Sequence, residues 1–297
     1  MDAVKPDMQR PASGPTLGSA LGPGVIAAIS FALSDTLAKF VFVSGGDVLT
    51  LALIRGVIGL GIMYVYLRLD PPQPATARAR MIALGLGVLF AAVVYGLFKA
   101  IELITVPVAV LTYFAYPLLT GIGGWMFGVE RLSWQGALAA LAAFLGLALM
   151  IGAYPQQLSL LGIAFALGAA VSRAVFLLVA RAELQEADPR LTTWHSLVSS
   201  TAIFALAAAF AMNWHPPHDG LGWFAVLVVS VTTASGILML YASTRRIGPF
   251  RTALIMNLEP LLATLISAPL LGEVITPLQA AGGAIMLGAL MAFQLVR

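Results

Sequence analysis

Ionisable side chains inside long apolar runs are the residues of this sequence best suited to chemistry. Asp35 and Lys39 lie in the first run, Lys99 in the third, Arg173 in the sixth and Glu259 in the ninth. A charge at bilayer depth costs about 3 kcal/mol on insertion scales, so each needs a partner or a water-filled cavity. A carboxylate in such a place can bind a proton or a substrate amine, and a cation can bind a substrate carboxylate.

Two of these charges stand one helical turn apart. Asp35 and Lys39 are at positions i and i+4, on one helix face, so they can neutralise each other or line a pathway together. Arg173 occupies in the second half of the chain the position that matches Asp35 in the first. An acid and a base at opposite depths of one cavity would suit the ammonium and the carboxylate of an amino acid. Lys99 either belongs to the same pathway or extends to the membrane boundary.

Two prolines interrupt apolar runs next to further polar groups. Pro117 follows Tyr116, and Pro260 follows Glu259. Proline removes a backbone donor, frees a carbonyl and moves the preceding residue away from helical geometry. We expect helix kinks at both prolines, facing a pathway, because lipid cannot satisfy the freed carbonyls.

The composition determines which solvent the chain must face. Hydrophobic residues make up 60% of it, charged residues 10%, and the mean hydropathy is +0.95. A soluble domain would carry about 25% charged residues. The apolar runs are continuous rather than alternating, so the sequence predicts an all-α polytopic membrane protein.

Several classes of function are disfavoured by what the sequence lacks. It contains no cysteine, which excludes disulfides and thiolate metal sites, and its three histidines form no recognisable ligand set. The net charge of +3 comes from scattered basic residues without a basic face, so nucleic acid is not an expected partner. Phosphate-binding and hydrolase motifs are missing, so we expect no cofactor, no metal and no catalytic residues.

Counting runs of about 20 apolar residues predicts ten transmembrane helices. Residues 1–19 are predicted to be a disordered cytoplasmic tail, because they mix charges and prolines without an apolar core. The predicted spans cover residues 22–43, 49–67, 81–101, 107–128, 134–153, 159–180, 191–212, 221–243, 249–271 and 277–295.

The basic residues predict the orientation of these spans. With a cytoplasmic N-terminus, none of the 16 lysines and arginines falls in an outer loop. We therefore expect both termini in the cytoplasm and a bacterial-type inner (plasma) membrane. The cytoplasmic set is Lys5, Arg10, Arg68, Arg78, Arg80, Arg131, Arg181, Arg190, Arg245, Arg246, Arg251 and Arg297.

The chain repeats itself. The stretch 117–133 begins Pro-Leu-Leu and ends Glu-Arg-Leu-Ser, and 260–276 begins Pro-Leu-Leu and ends Glu-Val-Ile-Thr. In each copy the hydroxyl residue three positions after the glutamate (Ser133, Thr276) is predicted to be a helix N-cap. Two five-helix units, residues 20–153 and 154–297, must cross the membrane in opposite senses. The prediction is an inverted repeat, in which the substrate binds near the midplane between the halves.

These repeated features resemble the drug/metabolite transporter superfamily, in particular its ten-helix EamA-type exporters. The resemblance rests on Pro117, Glu130, Leu132-Ser133, Pro260, Gly272-Glu273 and Ile275-Thr276, and covers residues 22–296. Within the superfamily the chain is similar to bacterial exporters of aromatic amino acids and the cation paraquat, partly through Tyr95 and Lys99. The family often has a tryptophan where this chain has Phe31.

The function predicted from residues and resemblance together is secondary transport. We expect export of small organic metabolites, best matched by aromatic or other hydrophobic amino acids and organic cations, through alternating access. The alternatives are transport of anionic metabolites with Lys39, Lys99 and Arg173, or a membrane-embedded lipid enzyme. The expected partners are a small-molecule substrate and membrane lipid, and the chain is expected to be a monomer or homodimer. The predicted substrate-binding residues are Tyr95, Lys99, Tyr113, Asn257 and Glu259, and the predicted pathway charges are Asp35, Lys39 and Arg173.

Overall fold

The computed structural model describes residues 17–104, 106–151, 159–211, 214–271 and 275–295. All regular structure in these ranges is helical. The predicted tail lies outside the described residues except for residues 17–19, with which the first helix begins. Glu273 also lies outside them.

Twelve helices make up the described part of the chain. They are α1 (Leu17–Val43), α2 (Val48–Leu69), α3 (Ala77–Leu103), α4 (Val106–Tyr113), α5 (Tyr116–Met126), α6 (Trp134–Ile151), α7 (Leu160–Glu183), α8 (Pro189–Ala211), α9 (Gly220–Ile247), α10 (Pro249–Met256), α11 (Leu258–Leu271) and α12 (Pro277–Leu295).

Length and composition suit most of these helices to a bilayer. Within the described ranges, seven segments are long and apolar enough to cross a membrane, the last being the α10–α11 segment Pro249–Leu270. Two shorter apolar helices, Trp134–Leu149 and Pro277–Ala292, lie within α6 and α12. The described helices therefore agree with the predicted all-α membrane class.

Side-chain caps fix where the helices begin. Asp47 accepts a hydrogen bond from Thr50 N at 2.9 Å and so caps α2. Ser133 and Thr276 accept hydrogen bonds from Gly136 N at 3.0 Å and Gln279 N at 3.3 Å, directly before α6 and α12. Each cap satisfies a backbone donor that has no partner inside its helix. The prediction that the two repeated hydroxyl residues are N-caps is confirmed.

The fourth apolar run of each half is split into two helices. In the first half α4 ends at Tyr113 and α5 begins at Tyr116, with Pro117 in its first turn. In the second half α10 ends at Met256 and α11 begins at Leu258, with Pro260 in its first turn. Proline is tolerated in a first helical turn, where its missing N–H would have no partner anyway. Both breaks therefore immediately precede the repeated prolines.

The packing of the helices has the pattern of a two-fold relation. When helices are matched by their order within each half, α1 corresponds to α7 and α3 to α9. Helix α1 packs along α9, and α7 packs along α3, which is the related contact. Helix α11 packs on α1 as α5 packs on α7, while α2 packs on α8 and α6 on α12. The two halves are thus interleaved rather than set side by side.

One end of the bundle gathers the basic loops. Arg78 Nη2 lies 2.6 Å from Glu183 Oε2, and Arg190 Nη1 lies 2.5 Å from Asp70 Oδ2. Arg181 donates a hydrogen bond to the Arg245 carbonyl at the same end. We call this the basic end, and it brings together the loops that the sequence predicts to be cytoplasmic.

At the opposite end of the bundle, hydrogen bonds of acidic and histidine residues connect two loops. Ser44 Oγ donates to Asp219 Oδ1 at 2.8 Å, and His218 N donates to the Ser44 carbonyl at 2.9 Å. The backbone N–H groups of α9 and the Ser44 hydroxyl lower the pKa of Asp219. These bonds join the α1–α2 connection of one half to the α8–α9 connection of the other.

Candidate functional site

A buried arginine lies at the centre of the bundle. Arg173 on α7 is 3% exposed, and its guanidinium carbon lies 5.4 Å from the centroid of the Phe31 ring, 5.8 Å from that of Tyr116 and 5.9 Å from that of Phe176. Arginine favours aromatic faces because the ring quadrupole attracts the cation. Among the described residues its Nε has no hydrogen-bond partner, although the atom is fully buried. A buried donor without a partner costs free energy, so this N–H group is suited to donate a hydrogen bond to an incoming ligand.

Two carboxyl groups lie near this arginine, one from the other repeat and one from its own repeat. Glu259 on α11 and Asp35 on α1 interact electrostatically with each other, and both interact with Arg173. Arg55 on α2 interacts with Asp35. The cluster therefore combines two fixed cations and two acids drawn from four helices.

The carboxyl pair borders an open space rather than packed protein. The Asp35 side chain is exposed, and Glu259 is partly exposed, although helices α1, α2, α7 and α11 surround them. Nearer the basic end of α1 the side chains of Ala27, Ala28 and Phe31 are buried. Lys39, one turn further along α1, is also exposed.

Aromatic rings form one wall of the cluster at the break between α4 and α5. The Tyr113 ring centroid lies 5.2 Å from that of Phe114 and 5.3 Å from that of Tyr116. The Tyr116 hydroxyl is buried, and the group with which it interacts is the Arg173 guanidinium. Tyr113 and Tyr116 both interact electrostatically with Arg173. The wall thus offers stacking surface and a buried hydroxyl close to a cation.

The structure brings together four of the eight predicted binding and pathway residues. Asp35, Tyr113, Arg173 and Glu259 belong to the central cluster. Asn257 is 2% exposed at the C-terminal end of α10, in the break that precedes Pro260. Lys39 is exposed one turn from Asp35 on α1.

Tyr95 and Lys99 lie apart from the central cluster. Tyr95 is 56% exposed and packs edge-on against Phe165, with 6.2 Å between ring centroids, on the outer surface where α3 meets α7. Lys99 is half-buried one turn later on α3. Tyr95 shares an exposed face of α3 with Val88 and Ala92, whereas Phe90 and Val93 on the opposite side of the helix are buried.

Three residues of the cluster were not among the predicted site residues. Tyr116 and Phe176 supply rings against Arg173, and Arg55 supplies the cation nearest Asp35. The sequence feature that could have identified Arg55 is a charge inside an apolar run, the same feature that identified the predicted pathway charges. Sequence alone does not show which face of α2 meets α1.

The helices pack more closely at the basic end of the bundle than at the opposite end. Helix α10 packs against α5, and with the exception of Arg251 its residues from Pro249 to Met256 are buried. The two-fold relation maps this contact onto the pair α4 and α11. No comparable contact between α4 and α11 is found among the described residues. This asymmetry agrees with the exposure of Asp35 and Lys39 on the side away from the basic end.

A glutamate from the first repeat holds the closed end. Glu130, in the connection between α5 and α6, accepts a hydrogen bond from Phe250 N at 3.0 Å through Oε2. This N–H is one of the unpartnered donors at the start of α10, where a negative charge is favourable. Burial raises the pKa of the Glu130 carboxyl, and the hydrogen bond from Phe250 and the charges of Arg181 and Arg251 oppose that rise. Glu130 therefore caps a helix of the other repeat.

We expect Gly248→Ala to weaken this closure. Gly248 has φ of +88°, and a Cβ there would come within 2.7 Å of the Glu130 carboxylate. Gly128→Ala is the matched control, because Gly128 also has a positive φ of +67° but open space around it. Both variants lose about 1 kcal/mol through backbone strain, and only Gly248→Ala also displaces Glu130. Thermal unfolding of both proteins in detergent should show the lower midpoint for Gly248→Ala, and equal midpoints would contradict the contact.

Metal binding finds no support in this arrangement. Within the described ranges, no group of three or more His, Asp or Glu side chains could hold a metal ion.

Comparison with known proteins identifies related sequences and folds. The sequence profile of the EamA-like transporter family matches the chain twice, over residues 19–152 and 160–293. An uncharacterized transporter from Synechocystis is 24% identical over 218 residues, which are 71% of this chain. The aligned region spans 65% of that relative, slightly less than two thirds of its length. A crystal structure titled only as a protein superposes with a TM-score of 0.78 at 18% identity, covering 94% of this chain and 98% of that one, and shows the fold alone.

Proposed function

The chain belongs to the EamA-like transporter family, and from that premise we propose that it exports small organic metabolites. Family membership and the transporter-named relative point to a transporter rather than an enzyme. The substrates that we propose are aromatic or other hydrophobic amino acids, with organic cations as a further class.

One observation carries this proposal, the buried Arg173 with an unpartnered Nε beside a carboxyl pair and aromatic rings. Arginine binds a carboxylate through its planar fork of donors. Asp35 and Glu259 offer acceptors for an ammonium group, and Tyr113 and Tyr116 offer stacking surface for an apolar side chain. These are the three parts of an aromatic amino acid.

We propose that transport proceeds by alternating access between two inverted five-helix repeats. Ten spans result if α4 and α5 together form one broken membrane-spanning helix and α10 and α11 form another. The helices α6 and α12 must also cross the membrane. Substrate then binds beside the two breaks, as in other transporters built from inverted repeats with discontinuous helices. The contact of α10 with α5 and the exposure of Asp35 and Lys39 support an outward-open state, with the basic end in the cytoplasm of an inner-membrane protein.

Transport of anionic metabolites is the second candidate. Arg173 and Arg55 lie in the cluster, Lys39 is exposed one turn from Asp35, and Lys99 lies farther along α3. The two acids beside Arg173 favour a zwitterion, because a simple anion would meet repulsion from Asp35 and Glu259.

Uptake into proteoliposomes tests the proposal. Labelled L-phenylalanine, L-tryptophan and a dicarboxylate are offered to vesicles that hold the purified protein. Saturable uptake of the amino acids, accelerated by unlabelled substrate inside, would support the proposal. Uptake of the dicarboxylate alone would favour the anionic alternative, and chemical conversion of a substrate would indicate an enzyme.

Cysteine labelling tests the proposed orientation, and the cysteine-free sequence allows it directly. Gly220→Cys lies at the start of α9 in open space, at the end opposite the basic loops. Ala77→Cys is exposed at the start of α3 at the basic end. We expect an impermeant maleimide to label Gly220→Cys in intact cells and Ala77→Cys only after lysis. Labelling of Ala77→Cys in intact cells would show that the orientation is wrong.

A further inference from the structure

At the closed basic end, an aromatic ring of one repeat packs directly against a glycine of the other. Phe250 on α10 is 4% exposed. A Cβ atom added to Gly121 on α5 would come within 2.8 Å of Cε2 and 2.9 Å of Cδ2 of the Phe250 ring. Only a residue without a side chain allows so close an approach to the backbone. We call this contact of Phe250 with Gly121 the aromatic latch.

The backbone of the same phenylalanine carries a second contact between the repeats. Phe250 N donates to Glu130 Oε2 at 3.0 Å, and Glu130 lies in the connection that follows α5. The side chain and the N–H group of one residue therefore both bind the first repeat. Movement of α10 away from α5 would break the two contacts together.

The other repeat lacks the residue that makes both contacts. Phe250 lies ten residues before Pro260, and the residue ten positions before Pro117 is Pro107. Proline has no backbone N–H, so Pro107 cannot donate to a carboxylate as Phe250 does. Its side chain is also not an aromatic ring. Helix α4 therefore cannot reproduce either contact of α10.

The glycine of the latch is missing from the other repeat as well. Gly121 lies four residues after its repeated proline, and the matching residue in α11 is Thr264. Threonine has a branched Cβ, which would fill the space that the ring takes at Gly121. No contact between α4 and α11 comparable to that of α10 with α5 is found in the part of the chain that the structure describes. The repeats share a fold, but not the residues that close the basic end.

We propose that the aromatic latch makes the substrate-free protein rest closed at the basic end and open at the opposite end. The alternative state would bring α4 against α11 without the ring contact and without the hydrogen bond of Phe250 N. Its free energy is therefore higher, and the two states differ in population before any substrate binds. This inference rests on the proposed alternating access for the existence of the second state, and it does not depend on which substrate is carried.

Distances between spin labels in the substrate-free protein test this bias. Arg131→Cys with Arg246→Cys reports on the basic end. Leu160→Cys with Leu270→Cys reports on the opposite end, where α7 begins and α11 ends, and both side chains are exposed. In nanodiscs we expect one main population for each pair, at the distance that this structure gives. Two populations of similar size, or a main population that is open at the basic end, would overturn the proposal.

Gly121→Ala should shift the resting state, because the new Cβ displaces the Phe250 ring. We expect the ratio of the two populations to change at least about fivefold towards the state open at the basic end. Gly123→Ala is the matched control on the same helix, since its Cβ would come within 2.8 Å of Leu178 Cδ1 on α7 and not of α10. It should leave both distance distributions unchanged. Equal shifts in the two variants would assign the effect to α5 itself and overturn the latch.

A double variant shows whether Gly121→Ala acts through the ring. Phe250→Ala removes the ring, keeps the N–H group and should shift the populations in the same direction. With the ring gone the Cβ at position 121 meets nothing, so the double variant should shift no further than Phe250→Ala alone. Additive shifts would overturn the contact. Distances as expected in a protein that transports neither L-phenylalanine nor L-tryptophan would uphold this inference and overturn the proposed substrates.

Discussion

Replacing Arg173 by alanine should reduce transport at least about 30-fold while leaving the folded protein intact. Removing one member of a buried, hydrogen-bonded charge pair costs about 2–5 kcal/mol, and about 1.4 kcal/mol is a factor of ten. In this structure the lost interaction would be the one with the substrate carboxylate, because Arg173 has a buried donor without a partner among the described residues. The measurement is initial uptake of L-phenylalanine into proteoliposomes with matched amounts of monodisperse protein.

Two further variants separate the role of the guanidinium from that of its charge. Arg173→Lys keeps the charge but not the planar fork, so we expect it to recover part of the rate with a raised KM. Arg68→Ala removes another arginine that lies over a ring, 5.0 Å from the centroid of Tyr64, but on the exposed surface near the end of α2. It should transport at the wild-type rate. Wild-type uptake by Arg173→Ala would exclude Arg173 from the binding site.

Replacing Glu130 by alanine should shift the protein towards the state that is open at the basic end. The variant loses the carboxylate that accepts from Phe250 N and caps α10. Loss of such a cap costs about 0.5–2 kcal/mol, which changes the ratio of two populations by up to about 30-fold. Spin labels at Arg131→Cys and Arg246→Cys, both exposed at that end, should show a longer distance in the alanine variant.

Glu130→Gln is the graded control for this shift. The amide keeps an oxygen acceptor for Phe250 N and loses only the charge at the helix terminus, an effect of about 0.3–1 kcal/mol. We expect its distance distribution to lie between those of the wild type and of Glu130→Ala. Should Glu130→Ala leave the distances unchanged while its unfolding midpoint falls, the cap would be a feature of stability and not of access.

Much of the architecture was accessible from the sequence because it depends on short-range physics. Apolar runs of bilayer length, separated by polar connections, predict helices wherever they occur. A proline inside an apolar run removes a backbone hydrogen bond and clashes with the preceding turn. Pro117 and Pro260 therefore predicted interruptions, and the structure has breaks just before both. Ser133 and Thr276 followed the capping rule, which requires only three residues of context.

The site depended on contacts between distant parts of the chain, and only the tertiary structure decided it. An ionisable residue in an apolar run needs a partner or a water-filled cavity. This rule singled out Asp35, Arg173 and Glu259, but it does not identify their partners. The pairing of Asp35 with Glu259 needs α11 to lie against α1, across more than 200 residues. Tyr95 illustrates a second limit of prediction from sequence. Its depth in a run was correct, but the rotation of α3 against α7 places it on the outer surface, and helix rotation is determined by packing rather than by sequence position.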